Sequence, residues 1–331
     1  METRRKMLLR AAGLGLAACA GLVAPGCVLA QEAWPTRPIT LLVGFAPGGG
    51  TDLIARHIAP RLAELLGQPV VIENRAGASG TIAAAAAAKS RPDGYTLLLG
   101  HVSSNAMVPA IMPKLPYSPS RDFTAITYIG RVPQVVVVPR SSPARTLAEF
   151  IELARTKAGG LNYASSGTGT QQHFAAELFQ QATGTSMVHV PYKGSGAALT
   201  DLMAGQVDVN FDTVPTVLQQ IRSGALRALA VTTRQRVPSL PDVPTVIEAG
   251  VPDYEIGAWY MLMGPAGLPQ PIVRKLSNAV NATLRTPEVQ KKLVDLGTDI
   301  VGGTPEQADA YLKTEIARWA TLAADKKIVT E

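Results

Sequence analysis

From residue 39 onward, short apolar runs alternate with helical patterns, and this alternation restricts the chain to α/β architecture more than any other feature. Residues 39–45 form an apolar run of strand length. In 53–66, the residues Leu53, Ile54, Ile58, Leu62, Leu65 and Leu66 share one helical face, and Gly67 stops the pattern. Residues 69–73 read as the next strand, the alanine-rich 81–89 as a helix, 95–99 as a third strand and 104–112 as a short helix. Such alternation predicts a parallel sheet covered by helices.

Residues 124–138 break this rhythm. They are long and extended, with Pro133 in the middle and an unbroken β-branched run at 135–138. A segment of this kind can leave one sheet and enter a second. The strand–helix order then restarts: helix 147–157, strand 162–164, helix 171–182, strand 187–190, helix 197–204, strand 207–211, helix 214–223 and strand 226–232. Residues 234–251 are proline-rich and loop-like, and 259–264 read as a return strand. Two closing helices follow, one at 272–284 with scope to continue past Pro287 through 296, the other at 305–324. The expected organisation is a signal peptide at 1–30, a discontinuous first domain at 31–130 and 253–331, and a second domain inserted at 131–252. Two domains joined in this way can hinge about a cleft. Open α/β sheets take ligands at the carboxyl ends of their strands.

The amino terminus reads as an export signal. Arg4, Arg5, Lys6 and Arg10 precede an apolar, small-residue run, and Val28-Leu29-Ala30 has the small-residue pattern of a cleavage site. The paired arginines fit a twin-arginine route as well as an ordinary one. Leu16-Ala17-Ala18-Cys19 resembles a lipid-attachment box, although the apolar run before it is very short and continues beyond it. Cys19 and Cys27 are the only cysteines, so cleavage after Ala30 leaves no disulfide, thiolate or zinc–cysteine chemistry. The formal charge of +6 includes +3 from the signal, which leaves about +3 on the exported chain. That balance is too weak and scattered for nucleic acid, where phosphate contacts need clustered Lys and Arg. No later segment reaches the 18 or so apolar residues of a membrane span.

Two glycine-rich stretches look like anion cradles that open helices. In 44–52 (GFAPGGGTD), Gly48, Gly49 and Gly50 let the backbone approach a ligand, and Thr51 adds a hydroxyl. Asp52 can cap first-turn donors, which would orient the loop but oppose a nearby anion. In 163–171 (YASSGTGTQ), Ser165, Ser166 and Thr168 offer hydroxyls and amides before a second helix. His173, just inside that helix, locks the loop if neutral and favours an anion if charged. The first stretch is not a nucleotide loop, because Thr51-Asp52 follows its glycines in place of Gly-Lys-Ser/Thr and the Gly-x-Gly-x-x-Gly spacing is not met. Residues 77–81 read as the turn into the alanine-rich helix. After the third strand, Ser103 and Ser104 can donate to a carboxylate, and His101 either contacts the ligand or holds a neighbouring loop. Tyr192 and Phe45 are candidates for an aromatic or hydroxyl-edged wall. Asp212 stands at a strand end, where it can meet a ligand amine or hydroxyl or cap the next helix.

Together these residues resemble the extracytoplasmic receptors of tripartite tricarboxylate transporters, also called the Bug family. The pieces that carry the resemblance are 34–39 (WPTRPI), 47–52 (PGGGTD), 71–78 (VIENRAGA), 192–194 (YKG) and 201–208 (DLMAGQVD), in order across 31–331. The resemblance implies a two-domain periplasmic-binding-protein fold with a ligand cleft between the domains. It implies a small di-, tri- or aromatic carboxylate held by loop amides, hydroxyls and bridging waters at 46–52 and 165–168, with no metal or cofactor. It further implies a monomer that delivers its ligand to two membrane components of a cation-coupled transporter. Related possibilities are a receptor for an amine-bearing acid, with Asp212 as ammonium partner, and a sensory or orphan receptor. An α/β hydrolase fits less well, since no Gly-x-Ser-x-Gly elbow is present and the four histidines have no evident Ser–His–Asp assignment.

Overall fold

The computed structural model describes residues 34–112 and 114–325. The candidate signal, its cleavage site and Cys19 lie outside the described residues. Among the described residues no helix is long and apolar enough to cross a membrane.

β1 (Ile39–Val43) leads into α1 (Gly50–Leu66), which ends at Gly67 in the left-handed conformation with its amide on the Ala63 carbonyl. Next come β2 (Val70–Asn74), a 3-10 turn at Ala78–Gly80, α2 (Thr81–Ala88) and β3 (Thr96–His101). The helix expected at 104–112 is a π turn, Ser103–Met107, running into the single turn of α3 (Val108–Ile111). β4 (Phe123–Pro139) follows, then α4 (Leu147–Thr156), β5 (Leu161–Ser165) and α5 (Gln171–Thr183). After these lie β6 (Met187–Pro191), α6 (Ser195–Met203), β7 (Val209–Thr213), α7 (Val214–Arg222) and β8 (Leu226–Val231). β9 (Gly257–Pro265), α8 (Gln270–Arg285), α9 (Pro287–Asp295), β10 (Asp299–Ile300) and α10 (Pro305–Asp325) close the described chain.

The sheet is mixed rather than parallel, which corrects the expectation from alternation alone. β1 runs parallel to β2 and β3, and β5 runs parallel to β6 and β7. β9 is antiparallel to β3 and β4, and β4 is antiparallel to β7 and β8. The reason lies in β4, a 17-residue strand that serves both groups. Pro133 is the last β4 residue paired with β9, and Gln134 is the first paired with β7. A residue without an N–H thus falls where the strand changes partners, the position at which a missing rung costs least.

Two further details depart from expectation. The closing helix does not run through Pro287; it breaks at Thr286 (ψ 124), because the residue before a proline avoids the helical region. The two-residue β10, unmarked by any periodicity, pairs Asp299 with Arg131 of β4. α10 is tied to the sheet through Glu315, a 5 % exposed carboxylate that accepts the indole N–H of both Trp259 and Trp319 at 3.0 Å. Burying two tryptophans requires a partner for each N–H, and one carboxylate serves both.

Candidate functional site

The carboxyl ends of β1, β3, β5, β6 and β7 bring their following residues around one small polar cavity. Its wall is formed by Phe45, Ala46, Gly49, Gly50, Thr51, His101, Ser166, Gln171, Ser195, Asp212, Thr213 and Tyr260, with about 20 Å³ open to the centres of water-sized molecules. Four helices begin at this wall: α1 at Gly50, α5 at Gln171, α6 at Ser195 and α7 just after Thr213. In none of the four does the N-cap residue's own side chain bond the first-turn amides, although the Gly50 and Gln171 amides are taken by Thr216 and Ser103 from other elements. First-turn amides have no intrahelical acceptor, and aligned peptide dipoles leave partial positive charge there. No lysine or arginine lines the cavity. The positive partial charges on this wall are therefore those of helix ends, not of cationic side chains.

The α1 mouth is built from its glycines. Gly48 has φ +84, which a side chain would strain. A Cβ on Gly50 would meet Thr213 Oγ1 at 2.6 Å and Tyr260 Oη at 3.2 Å. The Gly50 amide donates to Thr216 Oγ1 at 3.1 Å, and Thr216 is bonded in turn to Thr213 Oγ1 at 2.8 Å. The Thr51 hydroxyl bonds the buried Tyr260 hydroxyl, whose pKa burial pushes up.

Asp52 is not a cap of first-turn donors and does not reach the cavity wall. It turns back to hold the loop from behind, accepting from the Gly48 amide (3.0 Å), Arg56 Nε (2.7 Å) and Asn74 Nδ2 (3.0 Å). Burial pushes its carboxyl up, but the bonds from Arg56, Gly48 and Asn74 outweigh this and leave it below the usual range.

The second glycine-rich loop spends most of its polar groups on itself. Ser165 Oγ bonds His189 Nε2 at 2.6 Å and spans Gly167 at 3.1 Å. The Ser166 amide donates to Gln172 Oε1 at 2.5 Å, and Thr170 Oγ1 donates to the Gly167 carbonyl at 2.7 Å. The Gly169 amide donates to His173 Nδ1 at 3.2 Å. His173 has its pKa lowered to about 4 by burial, so at neutral pH it locks the loop in its uncharged form. Thr168 is exposed, and its carbonyl accepts the Ser79 hydroxyl from the turn before α2.

His101 lines the cavity between Phe45 (ring centroids 4.8 Å apart) and Tyr260 (5.2 Å). Its Nδ1 accepts the Ser103 amide at 3.1 Å, which places the proton of the neutral ring on Nε2. Burial lowers its pKa to about 3. It therefore contacts the cavity and holds the neighbouring turn at once. Ser103 and Ser104 do not reach the wall. Ser103 Oγ bonds Gln171 Oε1 and accepts the Gln171 amide, both at 3.0 Å, while Ser104 Oγ bonds Asn105 Oδ1 at 2.8 Å.

Asp212 lines the cavity and does not cap α7, whose N-cap is Thr213. It accepts from the Thr213 amide at 2.7 Å and Asn210 Nδ2 at 3.2 Å. Burial raises its pKa to about 6, with bonds from Thr213, Gln172, Ser195 and Asn210 pulling the other way. Tyr192 is not on the wall; its hydroxyl donates to Asp201 at 2.7 Å and its ring packs on the α6–α7 core.

The expected residues that meet around the cavity are therefore Phe45, Gly49, Gly50, Thr51, His101, Ser166 and Asp212, whereas Gly48, Asp52, Ser103, Ser104, Ser165, Thr168 and Tyr192 support it or stand apart. Of the other wall residues, Ala46 and Gln171 lie within the stretches 46–52 and 163–171 marked from sequence without being singled out, whereas Ser195, Thr213 and Tyr260 are not among the candidate contacts. Gln171 and Ser195 follow glycine-rich turns at helix starts, a signal that was available. Tyr260 lies inside an apolar strand run and carries no such mark.

Residues 54–328 match the family described as "Tripartite tricarboxylate transporter family receptor". Protein BugT of Bordetella pertussis is 39% identical over 304 residues, which are 92% of this chain and 92% of that protein. Among solved structures, R. palustris Rpa4515 with adipate is 40% identical, covers 89% of this chain and 99% of its own, and superposes with TM-score 0.87. MatC (Rpa3494) from Rhodopseudomonas palustris with bound malate is 36% identical over 87% of this chain and 99% of its own, with TM-score 0.80. With the two-domain fold of periplasmic binding proteins and a match over most of its length, the chain belongs to the tripartite tricarboxylate transporter receptor family, a family of solute-binding receptors rather than enzymes.

Proposed function

We propose that this chain is a periplasmic receptor that captures a small organic carboxylate in the cavity at the four helix starts and passes it to the membrane components of a cation-coupled tripartite transporter. The observation that carries the reading is the convergence of α1, α5, α6 and α7 on a wall without lysine or arginine. A carboxylate suits such a wall, since amides at helix starts can bond its oxygens once their present partners move away, and helix ends offset its charge. The adipate and malate held by the two relatives above support the same ligand class. The export pattern at residues 1–30 supports the location.

On this reading one carboxylate sits at Gly49, Gly50 and Thr51, with His101 Nε2–H as a further donor and Phe45 as the apolar edge. Ser166 and Asp212 face it from the other side. Residues 31–130 with 253–331, and residues 131–252, act as two domains that close on the ligand. The contracted cavity requires them to part first, because direct bonds such as Ser103–Gln171 and Gly50–Thr216 span the two sides. Hydrogen bonds to a charged group contribute about 1.5–3 kcal/mol each, so a few reach the roughly 8 kcal/mol of micromolar affinity.

Two measurements test the proposal. Mass spectrometry of small molecules retained by the natively purified protein should find an organic acid. A thermal-shift panel of dicarboxylates, tricarboxylates, aromatic acids and amino acids should find at least one stabilising acid, by about 2.7 kcal/mol at a hundredfold excess over Kd. A retained ligand without a carboxylate, with no acid giving a shift, would sink it.

A further inference from the structure

The cavity wall carries groups of opposite character. The α1 mouth offers donors. On the same wall stands Asp212, its one carboxylate, 1 % exposed. Acceptors are in surplus beside it. Asn210 Oδ1, on the same face of β7, and Gln134 Oε1, on the adjoining β4, are fully buried and have no donor among the described residues.

No cationic side chain lines the wall beside Asp212. α5 presents Gln171 and Gln172, α6 presents Ser195, β7 ends in Thr213, and the one charge of α7, Arg222, stands in its last turn. β9 presents the Tyr260 hydroxyl and β3 the neutral His101. The charged groups of the packed elements are engaged elsewhere: Asp52 with Arg56 on α1, Arg131 of β4 with Asp299, Glu177 of α5 with Tyr163, and Asp201 of α6 with Tyr192.

A dicarboxylate held at the α1 mouth would therefore bring its second anion near a buried carboxylate with no cationic side chain on the wall to offset the pair. Two carboxylates in one desolvated site do not both stay ionised. We propose, building on the carboxylate-receptor reading above, that a dicarboxylate is captured here together with one proton, shared between its far carboxyl and Asp212, whereas an acid with a hydroxyl at its far end is captured without one. The proton is taken from solvent as the site closes and returned when it opens. The raised pKa of Asp212, about 6, makes this uptake accessible near neutral pH. Capture of the diacid is thus linked to pH through Asp212.

The test is calorimetric titration of the unaltered protein with adipate, malate and ω-hydroxyhexanoate, the adipate analogue with one carboxyl replaced by a hydroxymethyl group. Each titration is run in two buffers of different ionisation enthalpy. The diacids should take up close to one proton per ligand, and their affinity should fall up to about tenfold per pH unit above about pH 7. ω-Hydroxyhexanoate should take up none and bind with flat pH dependence. In Asp212→Asn the diacid uptake should vanish; if that variant does not fold, the buffer comparison on the unaltered chain still decides. Diacid binding without proton exchange, equal uptake by both kinds of acid, or rejection of the diacids while the hydroxy-acid binds would overturn the proposal and leave the receptor reading standing. Failure of all three acids to bind would count against the receptor reading itself, and the proposal would go with it.

Discussion

The loop before α1 and the loop before α5 are both glycine-rich helix starts, and their polar groups are used differently. Around α1, the restraint comes from outside the loop: Asp52, held by Asn74 and Arg56, takes the Gly48 amide from behind, and Thr216 takes the Gly50 amide from across the cavity. Before α5, the loop's own hydroxyls and amides close on one another and on His173, His189 and Gln172. The Gly50 partner belongs to another element and can be exchanged when that element moves, whereas the second loop is closed on its own neighbours. Glycine and hydroxyl content therefore does not identify a cradle; where the supporting side chains sit does. Backbone donors must find partners in either case, and the two loops differ only in whether those partners are internal.

Four experiments can break or sharpen that contrast. Gly50→Val should have the largest effect, since its side chain would drive into Thr213 and Tyr260. Losing one or two charge-assisted bonds, at about 1.5–3 kcal/mol each, predicts an affinity loss of about a hundredfold with cooperative unfolding kept. Unchanged calorimetric affinity would refute the α1 cradle.

Next comes acid stability. His101 and His173 are held neutral in the folded state, with pKa values lowered to about 3 and about 4. Folded pKa values below the unfolded value near 6.5 mean stability is lost as pH falls below about 6.5. Asp212 acts in reverse: with its pKa raised to about 6, its burial penalty is relieved as pH falls through about 6. Two histidines against one carboxylate leave a net loss of about 2 kcal/mol between about pH 7 and about pH 5, measurable by chemical denaturation. A flat profile would mean that the second loop is not locked by a neutral His173.

Ser165→Ala should then lower stability by about 1–2 kcal/mol while affinity changes less than about threefold. A large affinity loss without a stability loss would restore Ser165 to direct ligand contact. Tyr192→Phe should do least, below about 1 kcal/mol in either measurement, because its hydroxyl serves Asp201.

Where a signal was local, the sequence was legible. The β1–α1 unit, the stop at Gly67 and the long strand at Phe123–Pro139 follow from periodicity, a left-handed glycine and an unbroken extended run. Strand direction was not legible, because β4 and β9 acquire their antiparallel partners from segments far away in sequence. The same distance hid the role of Asp52, which depends on Asn74, 22 residues on. Tyr260 reads as one more apolar strand residue until the fold sets its hydroxyl beside Thr51 and Gly50. By contrast, the break at Thr286 was readable from Pro287 and was passed over.

Thr216 gives the α1 mouth an internal competitor. Its hydroxyl occupies the Gly50 amide in the contracted form, so a guest gains that donor only by displacing a tethered rival of fixed effective concentration. Binding strength then becomes a difference between two occupants. A change on α7, outside the cavity wall, can retune the receptor's working range while leaving every guest-facing group as it was.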